Sequence, residues 1–85
     1  MQLADEIKRI LVAELHLEHV RPGDIADQDP LFGEGLGLDS LDAVEIVVIV
    51  QKRFGVEIRD LDEGREALAS VAALAEFIER RRREA

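Results

Sequence analysis

The apolar residues of the chain recur with the spacing of α-helices in three segments. In residues 2–16, apolar side chains return every three or four positions and charged side chains fill the positions between them. This apolar stripe comprises Leu3, Ile7, Ile10, Leu11 and Leu15. The same spacing recurs after Ser70, in a stripe of Val71, Leu74, Ala75 and Ile78. The pattern predicts amphipathic helices over about 2–16 and about 70–83.

The third segment, residues 40–54, contains two opposing signals. Its five consecutive β-branched residues, 46–50, locally favour a strand. The alternation of a half-buried strand is missing, however, and Asp39 is a good N-cap residue. Gly55 follows at the position where a helix would end. We therefore predict a helix over about 40–54.

The remaining residues predict one long connection and one short helix. The connection covers about residues 17–39, in which prolines and glycines oppose regular structure while several apolar side chains need burial. A weaker helical pattern covers about residues 60–68 and is interrupted by Gly64. The predicted fold is all-α, a small bundle of three main helices and one short helix with a long loop between helices one and two.

Composition and charge limit the number of domains, the compartment and the kinds of binding partner. A chain of 85 residues is one domain, 1–85, and the absence of cysteine fits a reducing compartment. The net charge is −8, and residues 22–50 carry seven acids without a lysine or arginine. Such a surface repels nucleic acid and anionic membranes and attracts basic partners. No apolar stretch could cross a bilayer, so we expect a cytoplasmic monomer that binds no nucleic acid and inserts into no membrane.

Ser40 stands among carboxylates at the start of the middle helix. A catalytic serine needs an adjacent base and an oxyanion hole, and Ser40 lacks the flanking glycines of a nucleophile elbow. Carboxylates on both sides also oppose the negative charge that a serine nucleophile develops. We therefore expect that the chain is not an enzyme.

Two arrangements of possible metal ligands fail on spacing. Asp60 begins a stretch like an EF-hand loop, but Gly64 is at the fifth position instead of the sixth, and Val71 replaces the final glutamate. His16 and His19 have no third ligand near them. We expect no metal site.

Apolar residues lie among the acids of the middle helix. Val44 and Val48 lie beside Asp42 and Glu45, an arrangement typical of a contact surface. A partner of this surface would be basic at the rim and apolar in the middle. The simpler alternative to a functional site is that Ser40 merely belongs to the capping region of a helix.

The residues around Ser40 resemble the prosthetic-group attachment helix of acyl carrier proteins. The resemblance rests on Asp39-Ser40-Leu41-Asp42, followed by Val44-Glu45-Ile46-Val47 and Phe54. It extends to the first helix, to Pro30-Leu31-Phe32 and Leu36-Gly37 in the connection, to Val56-Glu57-Ile58, and to Ser70-Val71. It therefore covers nearly the whole chain and implies an acyl-carrier-like bundle.

The resemblance implies a function for Ser40. In that family the serine receives 4′-phosphopantetheine from coenzyme A through a phosphopantetheinyl transferase, and the thiol of this arm holds acyl groups as thioesters. We expect backbone N–H groups at the helix start to favour the phosphodiester. The implied partners are the transferase and the acyl-transfer, ketosynthase and related enzymes of fatty-acid or polyketide-like synthesis. The residues expected to bind them, here called the docking face, are Asp39, Leu41, Asp42, Val44, Glu45 and Val48.

An acyl chain on such an arm gains by leaving water, and a core of small aliphatic residues can open for it. We expect a cavity between the middle helix and its neighbours, closed or small without cargo and with its mouth near Val44. Its expected lining comprises Ile46, Val47, Val50, Leu74 and Ala75.

Two alternatives to an acyl carrier remain open. One is a discrete aminoacyl or peptidyl carrier of nonribosomal peptide synthesis, although Asp39 before the serine and the acidic surface favour acyl cargo. The other is a small acidic helical interaction module without a prosthetic group. Within the acyl carriers, the basic stretch Gln51-Lys52-Arg53 and the arginine run 80–83 favour a specialised pathway.

Overall fold

The computed structural model describes residues 2–17, 20–32 and 37–84, and within these ranges the chain forms helices and no strand. Four α-helices follow one another, with a single turn of 3-10 helix at Pro22–Asp24 between the first two. They are α1 (Gln2–Glu14), α2 (Ser40–Phe54), α3 (Leu61–Ala67) and α4 (Val71–Glu84). The predicted all-α fold is confirmed. His19 and Leu36 of the sequence analysis, and one of the seven acids counted in residues 22–50, Glu34, lie outside the described residues.

Helix α1 ends at Glu14, two residues before the predicted end. His16 adopts a left-handed conformation with φ of 53°. The N–H of Leu17 donates to the carbonyl of Val12 at 3.1 Å, the hydrogen bond that closes a Schellman motif. His16 therefore ends α1 in place of the glycine that usually occupies this position.

Helix α2 contains the β-branched run that locally favours a strand. Ile46 and Val50 are fully buried in the core, so burial along one helical face outweighs the local preference. Gly55 ends the helix with φ of 66°, and its N–H donates to the Gln51 carbonyl at 3.0 Å. This helix begins at Ser40 and ends at Phe54.

The connection between α1 and α2 is packed against the rest of the chain. Leu31 is fully buried, and its N–H donates to the Ala69 carbonyl at 3.2 Å. The N–H of Ala72 donates to the carbonyl of Asp27 at 2.8 Å, and the Asp27 carboxylate pairs with Lys8 of α1. The connection is thereby fixed between α1 and the junction of α3 with α4.

A single hydrophobic cluster joins all four helices and the connection. Its buried members are Ala4, Ile7, Leu11, Ile25, Leu31, Leu38, Ile46, Val50, Val56, Ala67, Leu68, Val71, Leu74, Ala75, Phe77 and Ile78. Helix α4 contributes the largest share, because its apolar stripe is buried from Val71 to Ile78. Among the described residues, no helix has the length and apolarity that crossing a membrane requires.

Candidate functional site

The amino end of α2 is capped in both directions. Oδ1 of Asp39 accepts hydrogen bonds from the N–H groups of Leu41 and Asp42 at 3.0 and 3.1 Å. In return, Oδ2 of Asp42 accepts the N–H of Asp39 at 3.0 Å. Ser40, between these residues, is exposed as the first residue of the helix. The reciprocal cap holds the backbone on both sides of Ser40 in one geometry.

This cap changes one expectation from the sequence. Two N–H groups that could receive an anion at the start of α2 already donate to Asp39. The N–H groups of Leu41 and Asp42 would therefore not be free to bind a phosphodiester on Ser40. The start of α2 positions Ser40. The side chain of Asp39 occupies most of the capacity of this helix start to bind an anion.

The docking face is confined to one exposed side of α2 and its cap. Leu41, Val44 and Val48 are 75%, 62% and 46% exposed, which makes them the large apolar side chains that lie most open to solvent among the described residues. Their spacing of three and four residues places them on one side of the helix. Asp39 and Glu45 are exposed beside them, and Asp42 is half-buried through its part in the cap. Apolar side chains thus lie within an acidic border, as the sequence suggested.

A cavity of about 880 Å³ adjoins Ser40. It lies between the start of α2, the end of the connection and α3, and its lining is mainly apolar. The described residues that line it are Phe32, Leu38, Asp39, Ser40, Ala43, Val44, Val47, Ile58, Arg59, Asp60, Gly64, Arg65, Leu68 and Ala69. Here it is called the Ser40 cavity.

The Ser40 cavity and the expected acyl cavity share two features, but the expectation that the cavity is closed or small without cargo is wrong, since its volume is about 880 Å³. Val44 lies on its wall, as expected for a residue near the mouth, and Val47 lines it. The other four expected lining residues, Ile46, Val50, Leu74 and Ala75, lie in the core and are at most 1% exposed. The difference arises because Ala43 and Val47 share the face of α2 that borders the cavity, whereas Ile46 and Val50 share the neighbouring face.

Sequence reasoning missed several residues of the cavity, including Arg59 and Arg65. The guanidinium groups of these two arginines have no ion-pair partner among the described residues. They precede and follow the start of the short helix α3, whose weak pattern gave no basis for placing either side chain. The apolar character of Ile58 and Leu68 was a usable signal for burial but not for this cavity.

The described residues contain no cluster of histidine and acidic side chains that could hold a metal ion. Asp60, the first residue of the EF-hand-like stretch, has another role. Its Oδ1 accepts the N–H of Glu63 at 2.8 Å and so caps α3.

Comparison with known proteins gives one consistent result. The profile of a family described as the phosphopantetheine attachment site matches residues 5–78. The chain is 39% identical over 79 residues to an acyl carrier protein of Sulfurovum sp., covering 93% of this chain and 97% of that protein. It is 37% identical to an acyl carrier protein of Wolinella succinogenes, with 93% and 96% covered. An acyl carrier protein of Solidesulfovibrio magneticus is 32% identical over 84 residues, with 99% and 100% covered.

Proposed function

The chain belongs to the phosphopantetheine attachment site family and, within it, to the acyl carrier proteins, and we propose that Ser40 bears its 4′-phosphopantetheine arm. The group supplies a terminal thiol on which an acyl chain is held as a thioester. The chain contains no cysteine, so no protein thiol competes with that thiol for cargo. The family identification also resolves the alternative of an interaction module without a prosthetic group.

One observation carries the assignment to Ser40. This serine is exposed at the first position of α2 and lines an apolar cavity at the same time. An attachment point needs access for the transferase, and a carrier gains from a nearby apolar site for the cargo. The other serine, Ser70, is buried, and its Oγ accepts the N–H of Ala73 at 3.1 Å as a helix cap. Ser40 therefore fits the modification and Ser70 does not.

The docking face supports transient binding of several enzymes. Its exposed apolar residues Leu41, Val44 and Val48 provide the central contact, and the neighbouring carboxylates attract basic residues on a partner. Charges at the rim mainly raise the association rate, which suits a carrier that must also be released. We assign this face to the phosphopantetheinyl transferase and to acyl-transfer, ketosynthase and related enzymes.

The Ser40 cavity supports the proposal that the acyl cargo is sheltered from water. Val44 and Val47 lie where a chain delivered by the arm would first meet the protein. The four buried residues Ile46, Val50, Leu74 and Ala75 lie deeper, and we propose that they move apart when a long chain extends the cavity. Small aliphatic side chains favour such an opening, because they interlock less with their neighbours than large aromatic ones.

We assign the carrier to fatty-acid or polyketide-type synthesis in the cytoplasm, where coenzyme A supplies the arm. The acidic cap of α2 favours acyl over aminoacyl cargo. The basic residues Lys52 and Arg53 at the far end of α2 are exposed, and Arg53 is engaged with Glu14 at 2.6 Å. This leaves the acidic docking face concentrated at the Ser40 end, which supports a specialised set of partners.

The assignment is tested by intact-mass measurement after incubation with coenzyme A and a promiscuous phosphopantetheinyl transferase. Wild-type protein should gain one phosphopantetheine group, and Ser40→Ala should gain none. Ser70→Ala is the matched control, because it removes the other serine and leaves the docking face unchanged. Circular dichroism verifies that each variant is folded. A folded Ser40→Ala variant that still gains the group would refute the assignment.

A further inference from the structure

Among the described residues that line the Ser40 cavity, two are arginines, and no described carboxylate pairs with either of them. Arg59 and Arg65 are exposed, and neither guanidinium forms an ion pair with a described residue. The carboxylates that line the same cavity, on Asp39 and Asp60, already accept backbone N–H groups as caps of α2 and α3. The cavity therefore presents two guanidinium groups with which no described carboxylate forms an ion pair.

The carboxylate of Glu63 next to Arg59 is also engaged elsewhere. Its Oε1 accepts the backbone N–H of Arg59 at 2.9 Å, and its Oε2 pairs with Arg81 of α4. Glu63 thus fixes the backbone of Arg59 and leaves its guanidinium available.

Arg59 lies toward the end of the cavity that is remote from Ser40. It also lines a second cavity of about 480 Å³, together with Phe54, Gly55 and Val56. Phe54 is the last residue of α2 and the other two follow it, whereas Ser40 begins the helix, and a helix of 15 residues is about 22 Å long. Between the two ends, the wall of the Ser40 cavity is formed by apolar residues, among them Ala43, Val47 and Ile58.

We propose that the Ser40 cavity accepts acyl chains that end in a carboxylate, and that Arg59 binds this carboxylate. The inference rests on the proposed function of Ser40 as the attachment point. The methylenes of such a chain match the apolar wall, and its far end meets the guanidinium, which can bind a carboxylate with two parallel hydrogen bonds. Arg65 supplies further donors at the same cavity. An unpaired carboxylate in an apolar cavity would carry a large desolvation cost, which these donors offset.

The test compares hexanoyl and adipoyl cargo, which have the same number of carbons and differ by the terminal carboxylate. Each is installed from its coenzyme A thioester by the promiscuous transferase, and intact mass confirms loading. Thermal unfolding is then measured for the apo, holo, hexanoyl and adipoyl forms of the wild type and of Arg59→Gln, with Arg65→Gln as a second variant. Arg9→Gln, an exposed position on α1, is the control for loss of one positive charge.

Arg59→Gln should lower the melting temperature of the adipoyl form by about 2 to 4 °C more than that of the hexanoyl form. Arg9→Gln should lower the melting temperatures of the adipoyl and hexanoyl forms equally. With an isotope label in the terminal carboxyl, nuclear magnetic resonance should show its pKa lowered in the wild type and restored in Arg59→Gln.

Two results would overturn the inference. In one, Arg59→Gln affects the hexanoyl and adipoyl forms alike. In the other, it lowers the stability of the unacylated holo form as much as that of the adipoyl form, which would assign the arginine to the phosphodiester of the arm. Either result leaves the attachment at Ser40 intact, whereas failure of the wild type to load would contradict the proposed function itself.

Discussion

Asp39 and Ser40 are adjacent, and we propose separate tasks for them. The sequence predicts Asp39 as the cap of α2, and the structure shows its Oδ1 accepting two N–H groups. The sequence could not show that this one oxygen accepts two N–H groups, because the backbone geometry decides how many of them a capping side chain reaches. Asp39 holds the helix, and the Ser40 side chain is therefore available for modification.

Substitution of the two residues should separate these tasks. Asp39→Ala should lower the free energy of unfolding by about 1 kcal/mol, because α2 loses its cap. Ser40→Ala should change it little, because the Asp39 bonds persist. Urea unfolding of both variants in the apo form checks this. A loss in Ser40→Ala as large as that in Asp39→Ala would show that the serine is the effective cap.

At the scale of elements, helices were predicted more accurately than what lies between them. The bounds of α2 agree with the pattern because Asp39 and Gly55 mark its ends. The earlier end of α1 was missed, because a left-handed histidine gives no signal as strong as glycine. The path of the connection was also beyond prediction, because hydrogen bonds such as Leu31 to Ala69 join residues far apart in sequence.

The docking face on α2 should act mainly by raising the rate at which partner enzymes associate with the carrier. Glu45→Lys should slow phosphopantetheine transfer roughly 3- to 10-fold at low ionic strength, and the difference should shrink as salt is added. Glu6→Lys, an exposed position on α1, reverses the same charge outside the docking face. Initial rates over a range of salt concentrations provide the measurement. Equal slowing by both variants would assign the effect to net charge alone.

The ion pair of Lys8 and Asp27 links α1 to the connection, and its contribution to the stability of the fold should depend on pH. A hydrogen bond from Lys8 lowers the pKa of Asp27 below its ordinary value of 3.8, and the ammonium and carboxylate are 2.5 Å apart. A lowered folded pKa contributes stability that is complete above the ordinary value and is lost as the pH falls through the folded value.

Lys8→Gln should therefore be less stable than the wild type at neutral pH, and the difference should diminish below about pH 4. The neighbouring variant Arg9→Gln removes the same charge from a side chain that forms no ion pair with a described residue, and it should show no such dependence. Denaturant unfolding from neutral to acidic pH measures the difference. A difference in the free energy of unfolding between Lys8→Gln and wild type that does not change with pH would show that the ion pair does not contribute to stability.

For the whole molecule, the all-α bundle was predicted and the position of the cavity was only partly predicted. Apolar spacing identifies core residues such as Ile7 and Leu74, which are indeed buried. It cannot distinguish a residue that packs in the core from one that faces a void, because both are apolar. The contribution of α3 and its C-cap to the Ser40 cavity, through Gly64, Arg65 and Leu68, depends on how that short helix packs.

Shelter of the cargo should make stability depend on acyl chain length. The melting temperature should rise from the holo form through longer chains until the cavity is full, since each buried methylene contributes up to about 0.8 kcal/mol. Val47→Trp should remove this rise by filling the cavity, whereas Val48→Trp, on the docking face, should retain it. Thermal unfolding of each loaded form provides the measurement. A wild type whose stability is the same at every chain length would show that the cargo stays in solvent.

The most direct measurement locates the arm within the chain. Wild-type protein is loaded with phosphopantetheine, digested and fragmented in a mass spectrometer, so that the added mass is assigned to one residue. The assignment predicts a single addition on Ser40, with Ser70 unmodified in the same sample. Addition at any other residue, or no addition to folded protein under conditions that modify a known acyl carrier protein, would contradict it.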